Sequence, residues 1–499
     1  MTRTSNSIKM VLASALNQIV AIICGFILPP LLIEHFGSEV NGLLNAVKQM
    51  MAYFGIVCLG LGSAAQVALY KPIADNDWKR INAVLAATRH FFNQSGFVFA
   101  ILVFVSSFAF PFLFVSDIPF LDVFLIILIT GLGSICEYIV VAKYKVFLSA
   151  RQQNYINSRI TTEGIALNTL ISVILVYAGF SVIYIQIGAT LVYIVRLLLT
   201  IRYVKKHYPQ LSFYAEKSDK KSLKNRWAAF SYQVANIVIS LSPAIIIGAL
   251  CSLSDVSVYS IYFMLFSALM MIAGIFSAGL SAPFGDLIVK NETNSMNNAF
   301  KCYEFVYTTI MYFCFTCAAV LLPSFVRAYI HNNDGVNYVL PTFSLLMCFN
   351  YISQCARTPF KTIIGAKGLF KENYKWNLIE AFAFVLVSVF LVYLWGLNGI
   401  AIAGIMTSLP RSLKYLKDCC SLLSSDNSLW RMICKQILNI LFSMGIYYLM
   451  SDSIISDNLK EWLLFAIPYV IGLGILTILF NIIIDPTSFK LLRGKLLKH

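Results

Sequence analysis

Long apolar runs recur along the whole chain and leave no room for a sizeable soluble domain. Each run is about 20 residues long, which a helix needs to cross a hydrocarbon core of ~30 Å. Backbone groups in lipid must be satisfied internally, and the alternating segments typical of a membrane barrel do not occur, so each run predicts a helix. We predict about fourteen spans, at 10–33, 43–70, 92–115, 119–142, 160–180, 181–204, 228–250, 257–282, 303–325, 336–356, 376–396, 398–416, 430–450 and 461–484.

The composition and the placement of charge agree with this pattern. Apolar residues make up 59% of the 499 positions and charged residues 12%, whereas a soluble chain carries roughly 25% charged residues. The net charge of +15 does not indicate a nucleic-acid partner, because the basic residues cluster in alternate loops. All Lys and Arg residues except Lys48, Arg196, Arg327 and Lys460 fall on one side. The positive-inside rule then predicts that both termini are cytoplasmic.

An internal duplication is indicated by three matches at one spacing of 216 residues. Each match joins a segment of the first half to one of the second. They are Ser38-Glu-Val40 with Ser254-Asp-Val256, Tyr144-Lys145 with Phe360-Lys361, and Ser172–Tyr177 with Ser388–Tyr393; near the same spacing, Arg196 corresponds to Arg411.

The duplication predicts the domain organisation. The spacing covers six helices, an even number, so both halves would insert in the same orientation, as in transporters whose substrate path lies between parallel repeats. We predict a six-helix bundle at 1–215, a second at 216–428, and two further helices with a basic tail at 429–499. A Lys-rich linker, 203–227, would join the two bundles.

Ionisable residues inside spans are the candidates for function, because each costs at least ~2.5–3.5 kcal/mol there unless it faces a cavity or a partner. The deepest are Lys48, Glu137 and Arg196, all in the first half. We predict a substrate cavity from Lys48, Arg196, Arg89, Arg357, Asn17, Gln18, Asn45, Gln233 and Asn236, and assign ion or proton coupling to Glu137 and Glu163.

Each candidate also has a simpler interpretation. Lys48 and Arg196 have stems long enough to reach the headgroups. Glu137 could form a salt bridge that only holds helices together, and Glu163 lies in the first turn of a span, where a carboxylate complements the helix dipole.

The 6+6+2 plan resembles the Wzx-type lipid-linked oligosaccharide flippases, in the polysaccharide-exporter branch of the multidrug/oligosaccharidyl-lipid/polysaccharide transporter superfamily. Three loose patterns carry the resemblance together with the architecture. They are the Gly-rich segment Phe36–Gly42, the small residues Gly60–Ala65, and the basic turn Lys143-Tyr-Lys145 followed by Ala150-Arg151. The resemblance implies an all-α, V-shaped, MATE-like arrangement of two bundles.

The same resemblance implies a function and a location. Such a flippase moves polyprenyl-diphosphate-linked oligosaccharide repeat units across the bacterial cytoplasmic (inner) membrane for O-antigen (lipopolysaccharide), capsule or similar polymers. Its partners would be the bilayer, the lipid-linked substrate, a coupling ion (H⁺ or Na⁺) and other polysaccharide-assembly membrane proteins. Two relatives remain as alternatives, a cation-coupled multidrug efflux transporter and a lipid II flippase. Against them, the first span carries no acidic residue, and Arg3 and Lys9 lie only at the very start of the chain.

An enzyme is not expected. A membrane polymerase or ligase needs a large catalytic loop, and the longest predicted outer stretches, 326–335 and 451–460, are short. The five His residues show no metal-ligand spacing, and no Gly-rich phosphate loop with a Lys is present, so we predict neither a metal nor a cofactor.

Overall fold

The structure, a computed structural model, describes residues 3–58, 61–114, 117–214, 226–278, 281–290, 292–330, 335–367, 370–421, 423, 429–450 and 458–496. Over these residues the regular elements are helices. They are α1 (Arg3–Phe54), α2 (Leu61–Ala74), α3 (Trp78–Leu113), α4 (Phe120–Cys136), α5 (Ala142–Ala150), α6 (Asn154–Tyr177), α7 (Val182–His207), α8 (Arg226–Leu250), α9 (Leu253–Ala278), α10 (Ser281–Val289), α11 (Thr293–Tyr329), α12 (Pro341–Ala356), α13 (Thr358–Ala366), α14 (Phe370–Trp395), α15 (Leu397–Cys420), α16 (Leu429–Met450), α17 (Leu459–Ile484) and α18 (Pro486–Leu496).

The helices account for the predicted spans and make the chain a multi-pass membrane protein. Eleven helical stretches in the described part of the chain are long and apolar enough to cross a membrane. One of them, Leu12–Cys58, covers most of the predicted span 10–33 and the first part of 43–70, and a kink at Gly37 with φ 82° separates the two. The other two predicted spans correspond to α12, which has only 16 residues, and α15, which carries several charges.

Three predicted boundaries need correction. The second span, 43–70, is interrupted after α1 by a 3₁₀ turn, Gly55–Cys58, before α2 begins. The fourth span does not end at 142, since a π-helical turn, Glu137–Val141, carries α4 on into α5. The tenth begins at Pro341 rather than 336, because proline has no N–H to lose and favours the first helical turn.

The order of helices repeats, as the 216-residue spacing predicts. Moved by 216 positions, α3 would cover 294–329, and α11 is Thr293–Tyr329. The short helix α2 corresponds in the same way to α10, and the α4–α5 pair to α12–α13. Asn41 and Ser257, which are 216 residues apart, are joined by a buried 2.6 Å hydrogen bond from Asn41 Nδ2 to Ser257 Oγ. These observations support the duplication, while the domain limits 1–215, 216–428 and 429–499 stay a prediction, and linker residues 215–225 lie outside the described residues.

By its internal contacts the chain forms two units that divide within α9: Met1–Ser260, and Ile261–His331 with Gly335–His499. In the first unit, a hydrophobic core joins α2, α3, α5 and α7 through Leu69, Leu85, Phe147 and Val204. The side chain of Asp77 caps α3 there, accepting a 3.0 Å hydrogen bond from the Arg80 N–H.

In the second unit, α11 is the most buried helix, and α16 to α18 pack on it. A polar contact fixes this packing where α17 ends. Lys435 on α16 forms ion pairs with Glu304 on α11, at 3.3 Å, and with Asp485. Burial alone would raise the pKa of Asp485, but Lys435 and the Ser488 hydrogen bonds lower it to about 2. The C-terminal helices are therefore attached to the second unit by charge as well as by apolar contact.

Candidate substrate and coupling site

The site in the first unit begins at the π-helical turn, Glu137–Val141, between α4 and α5. A π turn inserts one extra residue into an α-helix, and such turns are frequent at functional sites. Here it places Glu137 facing both the following helix and α7. The carboxylate is mostly buried, with 17% of the side chain exposed.

Two groups hold the Glu137 carboxylate. Lys145 on α5 forms an ion pair with Oε1. The Tyr193 hydroxyl on α7 donates a 2.5 Å hydrogen bond to Oε2. Each oxygen of the carboxylate therefore has its own partner, one on α5 and one on α7.

Arg196 lies one turn further along α7. Its guanidinium group is 5.0 Å from the centre of the Tyr193 ring, and one terminal nitrogen donates a 3.2 Å hydrogen bond to Thr161 Oγ1 on α6. The Nε has no hydrogen-bond partner among the residues that the structure describes, and no ion pair joins Arg196 to a carboxylate of that part of the chain. The side chain crosses α6 at Gly164, where any Cβ would overlap it. Within the described residues, Arg196 therefore keeps a positive charge that no carboxylate neutralises.

Asn17 is a predicted amide that reaches this region. Its Nδ2 donates to Thr162 Oγ1 at 3.0 Å and to the Ser158 carbonyl at 3.4 Å, which attaches α1 to α6 beside Thr161. The neighbouring Gln18 is exposed.

The other predicted residues of the first unit lie apart from this set. Glu163 is exposed and pairs with Arg159 at 2.8 Å, one turn earlier in α6. Lys48 is exposed, and Asn45 donates to the Asn41 carbonyl at 2.9 Å. On α8, Gln233 is half-buried and Asn236 exposed.

Arg89 belongs to a different cavity. Its guanidinium lies 4.0 Å from the ring centre of Tyr214, and both residues line a pocket with Lys143.

The second unit contains an arrangement that resembles the Arg196 site. Arg411 on α15 donates to Asn377 Oδ1 on α14, at 2.7 Å from one terminal nitrogen, just as Arg196 on α7 donates to Thr161 on α6. Thr161 and Asn377 are 216 residues apart. The predicted Arg357 pairs with Glu380 at 2.6 Å in the same region.

The expectation that the deepest charges all lie in the first half is therefore wrong with respect to burial. Arg411 is 4% exposed, Glu380 8%. Sequence reasoning noted Arg411 as the counterpart of Arg196 but missed its partner Asn377, together with Tyr193, Thr161 and Lys145 in the first unit. The 216-residue spacing was the signal that could have found Thr161 and Asn377.

Comparisons with known proteins show the fold. No family model matches the chain, and no curated protein matches it either. Among solved structures, the lipid II flippase MurJ in an inward closed conformation has a TM-score of 0.61 and 16% identity, over 97% of this chain and 99% of that one. An inward-facing multidrug resistance MATE family transporter of the MOP superfamily has a TM-score of 0.62 and 12% identity, over 84% and 98%. The chain has a MATE-like membrane fold.

A third structure agrees with this result. A point mutant of the Vibrio cholerae MATE transporter VcmN has a TM-score of 0.55 and 12% identity, over 86% of this chain and 99% of that one. All three proteins are transporters or a flippase rather than enzymes. At these identities the MATE-like likeness concerns the fold, and the substrate has to be argued from the residues of this chain.

Proposed function

We propose that this protein is a flippase that moves polyprenyl-diphosphate-linked oligosaccharide units from the cytoplasmic to the outer leaflet by alternating access. The observation that carries the proposal is Arg196, a half-buried cation in a membrane span that pairs with no described carboxylate. In this proposal the chain lies in the bacterial inner membrane with both termini cytoplasmic, and it feeds O-antigen, capsule or a similar polymer alongside other polysaccharide-assembly membrane proteins.

The chemistry of Arg196 supports an anionic substrate. A guanidinium presents five N–H donors in a planar fork that matches the oxygens of a phosphate. Thr161 and the Tyr193 ring orient the side chain but leave its charge unneutralised. Because an uncompensated charge in a span is costly, its retention favours a role in binding an anion such as a diphosphate.

Glu137 supports coupling to an ion. The carboxylate holds Lys145 and Tyr193 together, and Tyr193 also contacts Arg196. Binding of H⁺ or Na⁺ at Glu137 would compete with Lys145 and weaken the hydrogen bond from Tyr193, so that the state of the carboxylate changes the support of Arg196. Glu137 also begins the π turn Glu137–Val141, a conformation that is frequent at functional sites.

The length of the fold also favours a flippase over a drug transporter. The MurJ structure covers 97% of this chain, and the multidrug transporter covers 84%. The difference is comparable in size to the C-terminal region 429–499, which contains α16 to α18.

The test is leaflet exchange of a fluorescent polyprenyl-diphosphate oligosaccharide in liposomes that contain the purified protein. We expect protein-dependent exchange that Arg196→Gln reduces by about tenfold or more, the effect of losing one charge-assisted contact to a phosphate. Arg202→Gln is the matched control, because Arg202 is an exposed arginine of the same helix. Efflux of organic cations without lipid exchange would contradict the proposal and favour a multidrug transporter.

A further inference from the structure

A pocket of about 340 Å³ lies in the first unit, between α3, α5, α7 and the segment that follows α7. Its described lining contains three cations, Arg89, Lys143 and Lys205, and no carboxylate. The remaining lining residues are Val204, Leu211, Ser212 and the aromatic residues Tyr144, Tyr208, Phe213 and Tyr214.

None of the three cations has a counter-charge among the described residues. Lys143 is 9% exposed, its Nζ donates to the Ile139 carbonyl at 3.3 Å, and it lies 5.2 Å from the Phe213 ring centre. Arg89 stacks on Tyr214 at 4.0 Å. Carbonyl and ring contacts orient these groups without neutralising them. Because these like charges repel one another and no described carboxylate offsets them, the arrangement favours an anion in the pocket.

The wall of the pocket is built by specific contacts. Asn82 on α3 donates to the Gln210 carbonyl at 3.1 Å and accepts from the Ser212 N–H at 3.0 Å, so one side chain holds both sides of the turn after α7. Phe213 packs edge-on against Tyr144 with ring centres 4.6 Å apart. The segment 208–214 is thus fixed in place as one side of the cavity.

We propose that this pocket binds a phosphate-bearing anion, either the headgroup of an anionic lipid or a free phosphate. The volume lies near the lower end of the roughly 300–1,000 Å³ usual for ligand sites, which suits a phosphate with a small organic group but not an oligosaccharide on a lipid. Lys205 lies nine residues beyond Arg196 on α7, roughly 13 Å along the helix axis. The pocket is therefore a second anion site, separate from the one proposed for transport.

Binding is measured without transport, so the result does not depend on the proposed function. In the first experiment, the purified full chain in phosphatidylcholine nanodiscs is titrated with inorganic phosphate, and with chloride at equal ionic strength as the reference. In the second, native mass spectrometry measures how much phosphatidylglycerol the protein retains in comparison with phosphatidylcholine. We expect Arg89→Gln and Lys143→Gln each to weaken binding by about tenfold. Arg80→Gln, which removes an exposed arginine of the same helix, should change nothing.

Each outcome decides the proposal. Phosphate binding that is lost in Arg89→Gln identifies free phosphate as the ligand, and retention of phosphatidylglycerol that is lost in Arg89→Gln identifies a lipid headgroup. Arg89→Lys, which keeps the charge, should retain part of the binding and shows that a loss in Arg89→Gln is not a folding defect. No preference for phosphate or for phosphatidylglycerol, or an equal loss in Arg80→Gln, would overturn the proposal.

Discussion

The Arg196 site of the first unit and the Arg411 site of the second share a hydrogen bond from the arginine to a neighbouring helix. They differ in whether a described carboxylate lies near the arginine. In both, an arginine donates to a side chain of the preceding long helix, Thr161 or Asn377. Arg411 also lies 3.9 Å from a Glu380 carboxylate oxygen and 3.9 Å from the Tyr415 ring centre. Arg196 has a ring and a hydroxyl but no ion pair within the described residues.

A second pair of equivalent positions shows the same difference. In the first unit Tyr193 donates to the ionisable Glu137. The corresponding contact of the second unit joins the hydroxyls of Ser408 and Ser353, with sequence spacings of 215 and 216 from the first pair. A neutral contact holds two helices together without responding to an ion. We therefore propose that the first unit carries binding and coupling, and that the equivalent contacts of the second unit are structural.

The largest effect should come from Glu137→Gln, which removes the ionisable group but keeps the shape. We expect the flipping rate to fall by about tenfold to a hundredfold, which corresponds to a typical coupling free energy between two sites. The remaining flipping should no longer depend on an ion gradient. Leaflet exchange with and without a pH or Na⁺ gradient measures it. Glu163→Gln is the control, since Glu163 pairs with Arg159 at the surface of α6; equal loss in both variants would show that Glu137 has no special role.

Arg411→Met should act on stability instead of transport. It leaves Asn377 and Glu380 with one charged donor fewer in a buried region, which costs about 1.5–3 kcal/mol. Thermal unfolding in detergent is the measurement, with Lys414→Met on the same helix as the control. An unchanged unfolding temperature would contradict a structural role for Arg411.

A smaller effect is expected from Gly164→Ala. A Cβ at Gly164 would overlap the Arg196 side chain, which must shift while it keeps its charge. We expect flipping to fall roughly threefold to tenfold through misplacement of the guanidinium group. Gly445→Ala is the control, because nothing lies near a Cβ at that glycine. Full activity of Gly164→Ala would show that the position of Arg196 is not critical.

The amino-acid sequence predicts more of the fold than of the site. Apolar runs report lipid-crossing helices directly, and the 216-residue spacing predicted the repeated order of helices. A break between residues 33 and 43 was predicted, but not that it is a kink at Gly37, and the π turn at Glu137 was missed. Hydropathy carries no trace of the backbone conformation of a single residue. Glu137 and Arg196 were named from their depth, but depth also selected Lys48, whose side chain is exposed. Partners such as Tyr193 and Thr161 come from other helices, and an apolar pattern does not fix how helices face one another.

The most direct test measures flipping per folded molecule for Arg196→Gln and Arg411→Met side by side. Unfolding temperature gives the folded fraction, and leaflet exchange of the diphosphate-linked lipid gives the rate. The account predicts that Arg196→Gln folds like the wild type and flips at least about tenfold more slowly, while Arg411→Met is less stable but its folded molecules flip at the wild-type rate. Wild-type flipping by Arg196→Gln, or inactive folded Arg411→Met, would contradict it.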